Sequence, residues 1–201
     1  MKQKIATSLL FISVFFYCLP QPALSKKEDT KQRSSTHLKH SNSLSSNQFI
    51  PTTDRFAGGK SVVTLSHHSR DEGEQRYLRV VGEIKAGYSY PWSGIAYLPS
   101  GNYQKGVNLS QAHSLEFDAK TSQNTTTLSV LLFEQDNFIP FERTVKLTVQ
   151  WARHRIKLSD FTNIDRSKIS NISLVITETK GNFEFMINNI TLINTKIIDN
   201  Q

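Results

Sequence analysis

Cysteine is almost missing from this chain: of 201 residues only Cys18 carries a thiol, and it lies inside an apolar run over residues 5–19. A chain cut after that run has no disulfide, no cysteine nucleophile and no thiolate metal site. Phosphate-binding signatures are missing as well. Gly58-Gly59 lacks the strand–loop–helix setting and the Gly-Lys-Ser/Thr ending of a phosphate loop, and no G-x-S-x-G elbow occurs. No stretch sustains a 3.6-residue apolar period, which excludes a helical bundle. The apolar run itself falls short of the ~20 residues a membrane span needs.

What the N-terminus does contain is a leader pattern. Lys2 and Lys4 precede the apolar run, Pro20 and Pro22 end it, and Ala23-Leu24-Ser25 offers small residues for a cut after Ser25. Export to the periplasm or outside the cell is therefore expected, with residues 1–25 as signal peptide. An uncleaved anchor and a lipid on Cys18 are weaker readings, the latter because Phe15-Phe16-Tyr17 is bulkier than a lipobox allows. Residues 26–48 are rich in Ser, Lys, Thr, His and Asn, with Leu38 and Leu44 the large apolar residues, and read as a disordered polar linker.

The formal charge of +7 is unevenly placed: +2 falls in residues 1–25, +3 in 26–48 and +2 in 49–201. A nucleic-acid binder concentrates its charge on the folded face that meets phosphate, so nucleic acid is not expected as a partner. Stable membrane insertion after cleavage is not expected either.

Residues 49–195 read as one domain, with 196–201 as a tail. Short alternating segments follow one another: Val62-Val63-Leu65; Leu78, Val80, Gly82 and Ile84; Leu115, Phe117 and Ala119; Val145, Leu147 and Val149; Ile172, Leu174 and Ile176; Phe183, Phe185 and Ile187. Residues 127–133 are apolar on both faces and read as a central strand. Ile190 and Leu192 shift phase after Ile187, which predicts a bulge at Asn188-Asn189. Many short strands at roughly ten-residue spacing predict an all-β jelly-roll sandwich. A domain of that length buries ~70% of its extended-chain surface and needs no covalent staple.

Tyr88, Tyr90, Trp92 and Tyr97 form the leading surface candidate, because sugar rings stack on aromatic faces and the group is interleaved with Gly87 and Gly94. Trp92 also fits a plug at the end of the sandwich. Gly58-Gly59 reads first as a tight turn before a strand. His67 and His68 point to opposite faces of a strand and cannot share one ion. No metal or cofactor is expected. Glu134, Asp136 and Glu142 are close in sequence, but surface carboxylates by a loop explain them without a glycosidase pair, and no enzyme is expected.

Four blocks carry a family resemblance. Asp54-Arg55-Phe56-Ala57-Gly58-Gly59-Lys60-Ser61 resembles the D-x-x-x-G-G-x-S opening of the complex I intermediate-associated protein 30 family, and Tyr90-Pro91-Trp92-Ser93-Gly94-Ile95 a segment of its bacterial relatives. Residues 151–161, from Trp151 to Asp160-Phe161, resemble a signature shared with galactose-binding-like carbohydrate modules, and residues 181–190 resemble the close of those modules. The resemblance implies a galactose-binding-like jelly roll and a protein-binding or assembly-type role, with a carbohydrate-binding module as the alternative; the expected partner is thus a protein or a glycan. Lys157 stands where proline is usual, and Asn188-Asn189 where related modules carry an Asp pair. There an acidic residue helps hold a structural calcium, for which neutral amides are poorer ligands.

Overall fold

The computed structural model describes residues 37–69, 76–177 and 180–197. Residues 1–25, read above as a signal peptide, lie outside them. Eleven strands follow in chain order: β1 (His37–Ser43), β2 (Phe49–Thr53), β3 (Val62–Ser69), β4 (Arg76–Ile84), β5 (Ser93–Tyr97), β6 (Ala112–Thr121), β7 (Thr125–Glu134), β8 (Phe141–Thr148), β9 (Ala152–Lys157), β10 (Ile169–Ile176) and β11 (Gly181–Ile197). They form two antiparallel sheets. The first runs β3-β4-β11-β6-β9, with β1 also paired to β11; the second runs β2-β5-β10-β7-β8. This is the jelly-roll sandwich expected. Among the described residues no helix is long and apolar enough to cross a membrane.

Alternation explains most of it. Leu78, Val80 and Ile84 of β4, Leu115, Phe117 and Ala119 of β6 and Phe183, Phe185 and Ile187 of β11 meet Leu128, Val130 and Leu132 of β7 and Ile172, Leu174 and Ile176 of β10 in one core. Every second residue of a strand faces inward, so each strand delivers its apolar set to the same layer. Phe161 closes the core beyond β9, with the Arg143 guanidinium over its ring at 5.5 Å. On the outer face of the first sheet, Arg153 reaches Glu116 at 3.1 Å and Asp118 at 3.2 Å.

Two expectations need correction. The linker expected to run to residue 48 ends earlier, because residues 37–43 pair with residues 191–197 as β1. Backbone pairing with β11 brings this polar segment into the first sheet. The segment containing Trp92 and Tyr97 is not one surface loop: residues 93–97 are β5, buried along their whole length. The phase shift in β11 is present, with the register against β6 slipping between Asn188 and Thr191 and Asn189 at a φ of 50°.

Candidate functional site: an aromatic end of the sandwich

Residues 85–92 connect β4 to β5 and carry three of the four expected aromatics. Tyr90 is 82% exposed. Tyr88 and Trp92 are half-buried and meet edge to face, ring centroids 5.9 Å apart. Tyr97 is different. It is 8% exposed, packs on Phe49 at 5.6 Å, and burial pushes its phenol pKa up. As a core residue it offers no face to a ligand. The register explains why: Tyr97 alternates with Ala96 and so shares the inward face of Ile95.

The β2–β3 turn lies beside that loop, tied to it by the Asp54 amide donating to the Trp92 carbonyl at 3.0 Å. Asp54 organises the turn. Its fully buried carboxylate accepts from the Ser61 amide at 2.9 Å and the Ser61 hydroxyl at 2.7 Å. Gly58 sits at a φ of 93°, the left-handed region glycine favours. At Gly59 a Cβ would lie 2.2 Å from the Asp54 Cγ. The D-x-x-x-G-G-x-S block is therefore a structural turn, and what it presents outward is Phe56, 83% exposed.

Phe56 has a partner that sequence reasoning missed. Tyr103, from the β5–β6 connection, stacks on it with centroids 6.2 Å apart and planes 29° apart. Burial pushes the Tyr103 phenol pKa up, against a hydrogen bond with Thr52 that pulls it down. Both residues stand alone in turn segments, so no periodicity marks them; the only signal is a large apolar ring beside the turn glycines.

Thr52 connects this pair to the second sheet. Pairing places Thr52 opposite Gly94, Gly94 opposite Val175, Val175 opposite Ser129, and Ser129 opposite Thr144. The next row on that face runs Ile50, Ala96, Ser173, Leu131 and Glu142. These positions alternate with the core residues and turn away from them. The centre of the face is closed to solvent, while Ile50 on the β2 edge is 37% exposed.

Other polar candidates have structural duties. The Glu134 carboxylate accepts from the Asp165 amide and from the Asn137 side chain, and Asp136 takes a φ of 61° in the β7–β8 turn. His68 meets the Ser66 hydroxyl at 2.9 Å and stacks on Tyr77, while His67 is exposed. A calcium at the β11 close does not fit the residues present. Asn189 donates to Asp118 at 2.6 Å, and among the described residues that line the adjoining cavity, which include Asn188, Asn189, Arg76 and serines, none is a carboxylate. Hard cations favour carboxylate oxygens over neutral amides, and a guanidinium repels them.

Fold and site together define a β-sandwich module with an exposed aromatic end. Residues 27–194 match the family model for carbohydrate binding domain 30, and the chain belongs to that family. This overturns the resemblance to the complex I intermediate-associated protein 30 family, and with it the assembly-type role; of the two partners expected, it supports the glycan. The Asp54–Ser61 block that suggested the resemblance is a structural turn held by the Asp54 carboxylate. The match also begins inside the stretch read as linker. No curated protein sequence matches the chain.

Solved structures agree on the fold. The family 11 carbohydrate-binding module from Clostridium thermocellum, in complex with a beta-1,3-1,4-mixed-linked tetrasaccharide, is 16% identical with a TM-score of 0.60, over 80% of this chain and 98% of that one. A family 30 carbohydrate-binding module is 16% identical with a TM-score of 0.51, over 69% of this chain and 77% of that one. The agarase AgWH50C is 14% identical with a TM-score of 0.53, over 79% of this chain and 25% of that one.

Proposed function

We propose that this chain is an exported, non-catalytic carbohydrate-binding module that takes its glycan at the aromatic end, through Phe56, Tyr103, Tyr90 and the Tyr88–Trp92 pair. The observation that carries the reading is the exposed Phe56 ring stacked on Tyr103 in a member of a carbohydrate-binding family. A sugar ring presents C–H bonds on its faces and hydroxyls around its edge. The faces suit flat aromatic surfaces; the edge suits hydroxyls such as Thr52. Because Phe56 and Tyr103 already hold each other, and the Asp54–Ser61 bonds hold their turn, little ordering remains to be done when a ligand arrives. Each aromatic contact contributes on the order of 2 kcal/mol, or roughly thirty-fold in affinity.

Calorimetric titration of the full chain with a beta-1,3-1,4-mixed-linked tetrasaccharide is the first test, chosen because the structurally similar family 11 module was solved with it. Agarose oligosaccharides and a glycan array follow. Saturable binding that weakens in Phe56→Ala, Tyr103→Ala and Tyr90→Ala is expected. Folded variants that bind every glycan as the parent does, or a parent that binds none, would overturn the reading.

A further inference from the structure

Both rings of the stacked pair stand at the same place in a tight turn. Phe56 is the second residue of Arg55-Phe56-Ala57-Gly58, closed by the Gly58 amide donating to the Arg55 carbonyl at 3.2 Å. Tyr103 is the second residue of Asn102-Tyr103-Gln104-Lys105, closed by the Lys105 amide donating to the Asn102 carbonyl at 3.3 Å. Each turn thus puts a cation at one of its corners, Arg55 next to Phe56 and Lys105 two residues from Tyr103, and both cations are exposed. We propose that the aromatic end is built for an acidic glycan: a sugar face lies on the Phe56–Tyr103 pair while its carboxylate or sulfate meets Arg55 and Lys105. The proposal rests on the reading of that end as the glycan site and names the class of sugar it takes.

Turn geometry sets the spacing. The corners of a β-turn lie within about 7 Å of each other, and neighbouring Cα atoms lie ~3.8 Å apart, so each charged side chain starts close to the stack. Hydrogen bonds hold both frames. Ser61 holds the Asp54 carboxylate under the first. Under the second, the Ser100 hydroxyl reaches the Asn102 and Lys105 carbonyls at 2.9 and 2.6 Å, and the Gln104 amide donates to the Asn102 side chain at 2.8 Å. The charge follows from the same segments. Residues 54–61 and 98–107 carry Arg55, Lys60 and Lys105 and a single acid, Asp54. That acid is fully buried, with both oxygens accepting from Ser61, so the charge these two segments turn outward is positive. A guanidinium pairs with two oxygens of one anionic group, and an ammonium adds a point charge. Rings and cations together also suit a single nucleic-acid strand, whose bases stack on aromatics; the family of this chain favours the sugar.

Calorimetric titration of the full chain with three forms of the beta-1,3-1,4-mixed-linked tetrasaccharide tests it: the neutral sugar, one carrying a carboxylate at C6 and one carrying a sulfate there. Exposed charge pairs are individually weak, so the acidic forms are expected to bind about ten-fold tighter than the neutral one at low salt. The preference should close at ~1 M salt, where charges are screened beyond ~3 Å. The tighter of the two acidic forms identifies the anion. Arg55→Gln and Lys105→Gln should each take away roughly three-fold of the preference, without moving the melting temperature, since both residues are exposed. Phe56→Ala should weaken all three sugars. A preference that persists in the Arg55→Gln/Lys105→Gln double variant, or acidic binding indifferent to Phe56→Ala, would overturn the proposal. So would acetate, inorganic sulfate or a single-stranded oligonucleotide competing as well as the acidic sugar. Neutral binding with no acidic preference counts against this inference alone, whereas no binding of any form counts against the aromatic end itself.

Discussion

Phe56 and Tyr103 lie stacked at 6.2 Å although one belongs to the β2–β3 turn and the other to the β5–β6 connection. Phe56 sits on a rigid, capped turn, and Tyr103 is anchored to Thr52. Such a pair resists rotation on binding, and its exposure means that little stability depends on it.

From that follows a separation of binding from folding. Phe56→Ala is expected to lower glycan affinity roughly thirty-fold while leaving the urea midpoint nearly unchanged. Tyr97→Ala should do the reverse, costing about 3–5 kcal/mol of stability through the cavity it leaves against Phe49. Calorimetry and urea unfolding of both variants check this. An affinity loss in Tyr97→Ala with full stability would contradict the assignment of that ring to the core.

The turn beneath Phe56 makes a steric prediction. Gly59→Ala puts a Cβ against the Asp54 carboxyl carbon, and Asp54 cannot yield because Ser61 holds both its oxygens. The expected loss is about 3 kcal/mol, from overpacking and a broken buried bond. At Gly87, with a φ of 115° and no atom within 4 Å of a Cβ, Gly87→Ala should cost only about 1–2 kcal/mol of backbone strain. Equal losses would mean that space at Gly59 is not the constraint.

These contrasts show where the chain was legible. The sandwich could be read because β4, β6 and β11 alternate apolar and polar residues, a pattern that one buried face imposes. β5 was not, since Ser93, Gly94 and Ala96 are small and the buried strand loses its alternation. β1 was missed because its polar composition carries no apolar alternation, while the structure pairs its backbone with β11. Of the site, the Tyr88–Trp92 loop was visible as a local cluster. The Phe56–Tyr103 pair was not, because contacts between turns depend on how the strands return the chain, and no local pattern encodes that.

Packing at the far side of the core supplies a further check. Phe161 is buried beyond β9 with Arg143 over its face. Phe161→Ala is expected to cost about 3–5 kcal/mol, read from the denaturation midpoint. A loss below about 1 kcal/mol would contradict its place in the core.

His154 gives the fold a pH dependence whose sign can be worked out. Its ring packs against Phe117 at 5.4 Å, its Nε2 is shut off from water without a hydrogen-bond partner, and burial holds its pKa below the usual imidazole value, only partly offset by the nearby Asp118 charge. The folded state therefore favours the neutral ring. Above the unfolded pKa of about 6.5 both states are neutral and the full stability is present. As pH falls below that value the unfolded chain takes up a proton that the folded chain resists, and stability declines until the folded pKa is passed. Urea midpoints measured from pH 7.5 down to 5 should fall in the parent protein and fall less in His154→Gln, which cannot titrate. Parallel curves for the two proteins would show that His154 is solvated in both states and that its packing on Phe117 does not exclude the charge.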